Sequence, residues 1–309
     1  MNFALIGVGG YIAPRHLKAI RDTGHELVAA LDPHDNVGIL DSYFPDARFF
    51  TEFERFDRHI DKLRRNGEVL DYVSIASPNY LHDAHVRFAL RSGAQAICEK
   101  PLVINPWNLD GLAALEQETG RRVFTILQLR LHPGVVALRD RVQRAIAANS
   151  EQQFEVELDY VTSRGAWYFS SWKGDDRKAG GIVTNIGIHF FDMLLWIFGD
   201  ALESSVAHLS DDSASGRFRF ANASVRWFLS VNAGHLPESA KARGQRTCRS
   251  IRLDGEEVEF SDGFTDLHTA SYAHILNGEG FGIADARPSI SLVHAIRSAE
   301  PSGKAETPR

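Results

Sequence analysis

Phe3-Ala4-Leu5-Ile6-Gly7-Val8-Gly9-Gly10-Tyr11-Ile12-Ala13 is the stretch whose reading decides the fold. Four apolar residues make a run short enough for a strand buried on both faces, and glycines end it. A helix is expected next, over residues 11–22, stopped at Gly24. Residues 27–31 read as a second strand, ending at Asp32. After a less legible stretch, residues 52–65 have the pattern of a charged amphipathic helix. Strands at 71–76, 94–98 and 123–126 then alternate with helices at 81–92 and 108–119. Strict alternation implies βαβ crossovers and a parallel sheet.

Beyond residue 150 the pattern changes. Residues 154–158 alternate with period two, as a half-exposed strand does. Further strands are expected at 204–209, 217–220, 223–230, 250–253 and 257–260, the last two flanking the hairpin signal Asp254-Gly255. An apolar helix spans residues 182–198. The fold class is therefore α/β: a Rossmann domain over 1–126, then an α+β domain over 127–309 with a large, mostly antiparallel open sheet. Such a sheet leaves one apolar face to cover, which points to a homodimer or homotetramer. Residues 301–309 are polar and expected to fray.

The 309 residues suit two domains, and a formal net charge of -6 gives no electrostatic case for nucleic acid. Cys98 and Cys248 are too few for a disulfide scaffold and lack metal-ligand spacing, so no metal is expected. The start of the sequence lacks the features of a signal peptide, and no apolar run approaches the roughly 20 residues of a membrane span. A cytoplasmic protein is expected.

The glycine turn lets a backbone approach a diphosphate whose charge the following helix N-terminus meets. The match to G-x-G-x-x-G is partial, because Ile12 stands where a third glycine or alanine is expected. Asp32, ending the second strand, is placed to accept hydrogen bonds from a ribose and to repel a 2′-phosphate, which favours NAD over NADP. A plain glycine turn with Asp32 as a turn residue is the alternative.

Two more features carry chemistry. Glu99-Lys100-Pro101 follows a strand, at the carboxyl end where ligands of open α/β sheets gather. Gly180-Gly181-Ile182-Val183-Thr184-Asn185-Ile186-Gly187-Ile188-His189-Phe190-Phe191-Asp192 puts Asn185, His189 and Asp192 on one face of an apolar helix. A polar stripe there either finds partners or serves a cleft.

Together these motifs resemble the glucose-fructose oxidoreductase / inositol dehydrogenase family. The resemblance implies that Lys100 and His189 sit beside the nicotinamide and the reacting carbon. That family most often has aspartate where this chain has Asn185, which can orient a hydroxyl but cannot act as a carboxylate base. Thr162-Ser163-Arg164-Gly165-Ala166-Trp167-Tyr168, Ser171-Trp172-Lys173-Gly174-Asp175 and Phe264-Thr265-Asp266-Leu267-His268-Thr269 are most similar to its bacterial UDP-N-acetyl-2-amino-2-deoxyglucuronate dehydrogenases. That likeness implies NAD-dependent oxidation of the sugar 3″-hydroxyl, for surface polysaccharide. It also implies cofactor contacts from Gly7, Gly9, Gly10, Tyr11, Ile12, Asp32, Ser77, Asn79, His82, Glu99, Lys100 and Gln128.

A UDP-linked amino sugar acid carries several negative charges, which an acidic protein must meet locally. Arg164 and Lys173, with Trp167, Tyr168 and Trp172, form a basic and aromatic segment suited to it, alongside Lys100, Asn185 and His189; Arg177 and Lys178 add charge. Gln128 and Arg130, past the last Rossmann strand, are placed to reach a ligand. Histidine's unperturbed pKa of about 6.5 suits a general base, whereas lysine's of about 10.4 does not. His189 is therefore expected as base and Lys100 as the cation stabilising the alkoxide, with the reverse assignment open. A same-family dehydrogenase of another sugar or cyclitol, and a non-catalytic NAD-binding sensor, are the competing readings.

Overall fold

The computed structural model describes residues 1–258 and 266–303. They form two compact units, residues 1–128 with 266–287, and residues 129–258 with 288–303. The sequence had suggested a single division at 126/127. The structure instead returns a C-terminal segment to the first unit.

In the first unit the elements are β1 (Asn2–Ile6), α1 (Ala13–Asp22), β2 (Glu26–Leu31), α2 (Leu40–Tyr43), β3 (Arg48–Phe50), α3 (Phe53–Arg65), β4 (Tyr72–Ile75), α4 (His82–Arg91), β5 (Gln95–Cys98), α5 (Trp107–Thr119) and β6 (Val123–Thr125). The six strands are parallel in the order β3-β2-β1-β4-β5-β6. The order reverses between β1 and β4, the switch point outside which such sheets bind ligands. All of β4 and the last four residues of β1 are buried, which is why they read as apolar runs. The unread stretch holds β3, an edge strand of three residues with no buried member.

The second unit contains α6 (Pro133–Ala148), β7 (Phe154–Thr162), α7 (Ala166–Ser170), α8 (Asp176–Ala179), α9 (Ile188–Phe198), β8 (Glu203–Leu209), β9 (Ser213–Arg219), β10 (Ala223–Ser230), α10 (Glu238–Ala242), β11 (Thr247–Leu253) and β12 (Glu256–Glu257). Its sheet runs β12-β11-β7-β10-β9-β8, with β7 and β10 parallel and every other neighbouring pair antiparallel. Asp254 (φ 53°) and Gly255 (φ 82°) make the expected two-residue turn. The expected strand at 257–260 extends beyond the described residues, as do Phe264, Thr265 and most of the polar tail.

One sheet face packs on α9, through Phe154–Phe198, Tyr160–Phe190 and Trp227–Phe191 ring contacts. The opposite face carries an apolar cluster of Val161, Phe228 and Leu236, with Cys248 packed against it, beside a set of ion pairs. Arg226 pairs with Asp159 at 2.9 Å, and Glu157 lies within 4.0 Å of Arg226 and 3.8 Å of Arg252. Strand alternation alone hid this, because the same period-two pattern fits any polar or paired outer face.

Residues 176–198 are the one stretch among the described residues long and apolar enough to cross a membrane, and 72% of its best window is buried in the protein. This corrects the expectation that no apolar run approaches that length. The burial is that of a core helix.

Finally, α11 (Leu267–Leu276) returns to the first unit, and α12 (Ile283–Ser298) runs across the division at 287/288. Tyr272 and Ile275 of α11 are buried in the same core as Phe3, Leu5, Leu17 and Ile97. Burying these side chains is the reason this segment belongs with the Rossmann sheet.

Candidate active site

At the first turn Gly7 has φ 90°, and a Cβ there would lie 2.6 Å from the carbonyl carbon of Ala76. Only glycine permits both the conformation and the approach. Gly9 N–H donates to Asp32 Oδ2 at 2.9 Å, and His34 N–H donates to Asp32 Oδ1 at 3.0 Å. The buried carboxylate thus fixes the turn, and each oxygen keeps a further lone pair for a ribose hydroxyl. α1 begins with Ile12 as an N-cap that offers no side-chain hydrogen bond, and no acidic residue stands in its first turn. Its positive end is left uncompensated by side chains, as a diphosphate site requires. Tyr11 is exposed, and Ala13, fully buried one residue after Ile12, is the small residue packed in the core. These residues fit a dinucleotide.

The other expected cofactor residues divide into two groups. Gln128 is nine-tenths buried, and its side-chain oxygen accepts no hydrogen bond among the described residues. It therefore has an acceptor to offer. Ser77 and Asn79 are buried, with Ser77 Oγ on His85 Nδ1 at 2.9 Å. Burial, and then the charge of His82, lowers the His85 pKa to about 4, so that ring is neutral.

His82 and Glu99 differ from their expected roles. His82 is buried with Nε2 on the Ser77 carbonyl (2.8 Å) and Nδ1 on the Pro101 carbonyl (2.7 Å). No ring nitrogen is left for a ligand, so its part is to tie two strand-end turns together. Glu99 is buried, and its Oε1 accepts from His16 Nε2 (3.0 Å) and His268 Nε2 (2.7 Å). Its partners are protein groups because β5 delivers it inward. The next residue, Lys100, is half-buried and precedes a cis Lys100–Pro101 bond.

In the second unit, residues 182–198 are buried except for Asn185, His189 and Trp196. Asn185 lies in a five-residue π turn, Val183–Gly187, that leads into α9. Such insertions occur often at functional sites. Asn185 Nδ2 donates to the Tyr168 hydroxyl at 3.0 Å. Burial raises the Tyr168 pKa, so the phenol stays neutral.

Asp192 does not share the opening. It is buried and receives Arg130 Nε at 2.9 Å and Nη2 at 2.8 Å, a bidentate pair. The three-residue face therefore splits, and Arg130 is held by a carboxylate instead of being offered to a ligand. Asp192→Ala strands a buried guanidinium and is expected to cost about 3–5 kcal/mol, read as a lower urea midpoint; an unchanged midpoint would refute the pairing.

The basic and aromatic segment does come together. Lys173 Nζ lies 4.6 Å from the Trp172 ring centre and 6.0 Å from that of Trp167. Burial, and then the charge of Arg164, lowers the Lys173 pKa, and Arg164 also acts on Tyr168. Arg164, Tyr168, Lys173 and Asn185 thus form one electrostatic neighbourhood. Arg177 and Lys178 lie exposed on α8, Lys178 within 3.7 Å of Asp175.

Sequence reasoning missed His16, Ser74 and Tyr272, which join Glu99 and His268 in one buried network. The i, i+4 spacing of His268 and Tyr272 was the available signal.

Residues 1–127 match the oxidoreductase family with an NAD-binding Rossmann fold, and residues 152–245 match its C-terminal alpha/beta domain. The WlbA (WbpB) dehydrogenase from Thermus thermophilus, solved in complex with NAD and alpha-ketoglutarate, is 51% identical over 99% of this chain and 97% of its own, with a TM-score of 0.94. The same enzyme with NAD and UDP-GlcNAcA gives 50% identity over the same shares and a TM-score of 0.93. A more distant relative, 2,7-anhydro-N-acetylneuraminate hydratase of Escherichia coli, is 22% identical over 84% of this chain and 72% of its own. Glycine turn, strand-end lysine, half-buried histidine and whole-length similarity agree: this chain belongs to the glucose-fructose oxidoreductase / inositol dehydrogenase family, and is an NAD-dependent oxidoreductase.

Proposed function

We propose that the protein oxidises the 3″-hydroxyl of UDP-N-acetyl-2-amino-2-deoxy-D-glucuronate to the 3-keto sugar, in the cytoplasm, for O-antigen and related surface polysaccharide. The observation that carries this reading is 50% identity over 99% of the chain to a dehydrogenase solved with NAD and UDP-GlcNAcA.

Gly7, Gly9, Gly10, Tyr11, Ile12, Asp32 and the start of α1 hold NAD, with Gln128 offering its free acceptor. When bound, NAD accepts the hydrogen that leaves the carbinol carbon with its electron pair. His189 removes the hydroxyl proton, while the Lys100 ammonium stabilises the negative charge growing on that oxygen. Asn185, fixed by Tyr168, orients the hydroxyl and cannot itself be the base. Arg164 and Lys173 meet the substrate's anionic groups, and Trp167 and Trp172 cover its ring faces. The outer face of the second unit's open sheet is where a second copy of the chain docks, giving a homodimer or homotetramer.

Mixing the protein with UDP-N-acetylglucosaminuronate and NAD should yield NADH and a sugar nucleotide two hydrogens lighter; its absence would sink the assignment. The alpha-ketoglutarate in one relative's complex supports a second half-reaction, in which a 2-oxo acid becomes the 2-hydroxy acid and NAD is restored. With NAD substoichiometric, 2-oxoglutarate should then sustain keto-sugar formation.

A further inference from the structure

Five buried residues of the first unit are joined in a network that the proposed chemistry does not use. Ser74 Oγ meets the Tyr272 hydroxyl at 2.6 Å, and that hydroxyl meets His16 Nδ1 at 2.7 Å. His16 Nε2 and His268 Nε2 both address Glu99 Oε1, at 3.0 and 2.7 Å, and Lys100 N–H donates to Glu99 Oε2 at 3.3 Å. β4, α11, α1 and the residue that follows β5 each contribute.

The protons can be placed. Two imidazole nitrogens facing one carboxylate oxygen must both be donors, so each ring carries its proton on Nε2. A neutral His16 then accepts from Tyr272 at Nδ1, and Tyr272 in turn accepts from Ser74. Every donor in the chain points toward Glu99. Donor-to-acceptor distances of 2.7 and 3.0 Å account for the closeness of the three ligand-type side chains, whose ligand atoms lie within 4.8 Å of one another.

Burial alone would raise the Glu99 pKa, but the bonds from His16 and His268 bring it well below the usual value. The other groups facing it are Tyr272 and Cys98, both kept neutral by burial, together with His82 and Lys100. A charged carboxylate is therefore maintained in the core, directly against the Lys100 backbone.

We propose that His268 and Tyr272 of α11 are positioning residues for Lys100, acting through His16 and Glu99 to hold an anionic carboxylate against the backbone that carries the ammonium. This rests on the role given to Lys100 above. Removing a donor lets Glu99 take up a proton in the working range, and a protonated carboxyl no longer holds Lys100 N–H as firmly.

In full-length protein, His268→Leu should lower kcat about tenfold at pH 6, with recovery toward the wild-type rate as pH rises and Glu99 ionises. The Kd for NAD should stay within about threefold, and His268→Gln, which keeps a donor, should restore the wild-type profile. Tyr272→Phe should show the same limb more weakly. A kcat unchanged at every pH, or an NAD affinity lost in step with kcat, would overturn the proposal. Nitrogen-15 spectra of the wild type, without substrate and at about pH 8, should show the proton of His16 and that of His268 on Nε2. A different tautomer overturns the network. If the wild type oxidises no UDP-sugar, the substrate assignment fails, and crystals of His268→Leu decide this one: a displaced Lys100 backbone supports it, and an unmoved one refutes it.

Discussion

Lys100→Met should lower kcat about 10³-fold while the Kd for NAD stays within about threefold, the size of effect seen when one donor to a developing oxyanion is removed. The side chain keeps its length and apolar stem, so packing around β5 is little disturbed and the lost quantity is one positive charge. Its backbone is set by Glu99, and its neighbour Pro101 by His82, so the loss cannot be attributed to a loosened loop. Lys100→Arg should recover little, because a planar guanidinium does not place a compact charge at the same point. Stopped-flow measurement of NADH formation separates the chemical step from release. A normal rate in the burst phase with a slow steady state would remove Lys100 from the chemistry.

How much of this was legible beforehand depended on whether the signal was local. The glycine turn, Asp32 and the end of β5 announce themselves in a few adjacent residues, because a parallel strand and its following turn are specified locally. The Asp254-Gly255 hairpin is the same kind of case. Partnerships across long stretches of chain were not visible. Asp192 looked like one of three residues facing a cleft, since helical spacing says nothing of Arg130, 62 positions away. Glu99 looked like a ligand because of its place in the sequence, whereas His268, 169 positions on, claims its carboxylate. The π turn at Val183–Gly187 is invisible to a 3.6-residue period, and it shifts Asn185 relative to His189 and Asp192 from where a regular helix would put it. The ion pairs on the outer sheet face escaped for another reason: hydrophobic alternation fixes which residues face the core but not what lies outside.

His189→Asn is the complementary case, and it separates the two candidates for the base. Here kcat should fall about 10²–10⁴-fold, the usual contribution of a positioned general base, with NAD binding intact. Wild-type kcat should rise with pH along an acid limb, since a base works only when deprotonated. The asparagine variant should lose this limb, leaving a small rate that climbs with hydroxide. Lys100→Met should keep it, because that variant leaves the imidazole in place. Were the limb to vanish in Lys100→Met and persist in His189→Asn, the base would be the lysine. Its pKa would then have to lie well below lysine's reference value of about 10.4. Burial and a neighbouring cation are what such a shift requires. An imidazole requires none, and on that ground we propose His189 as the base.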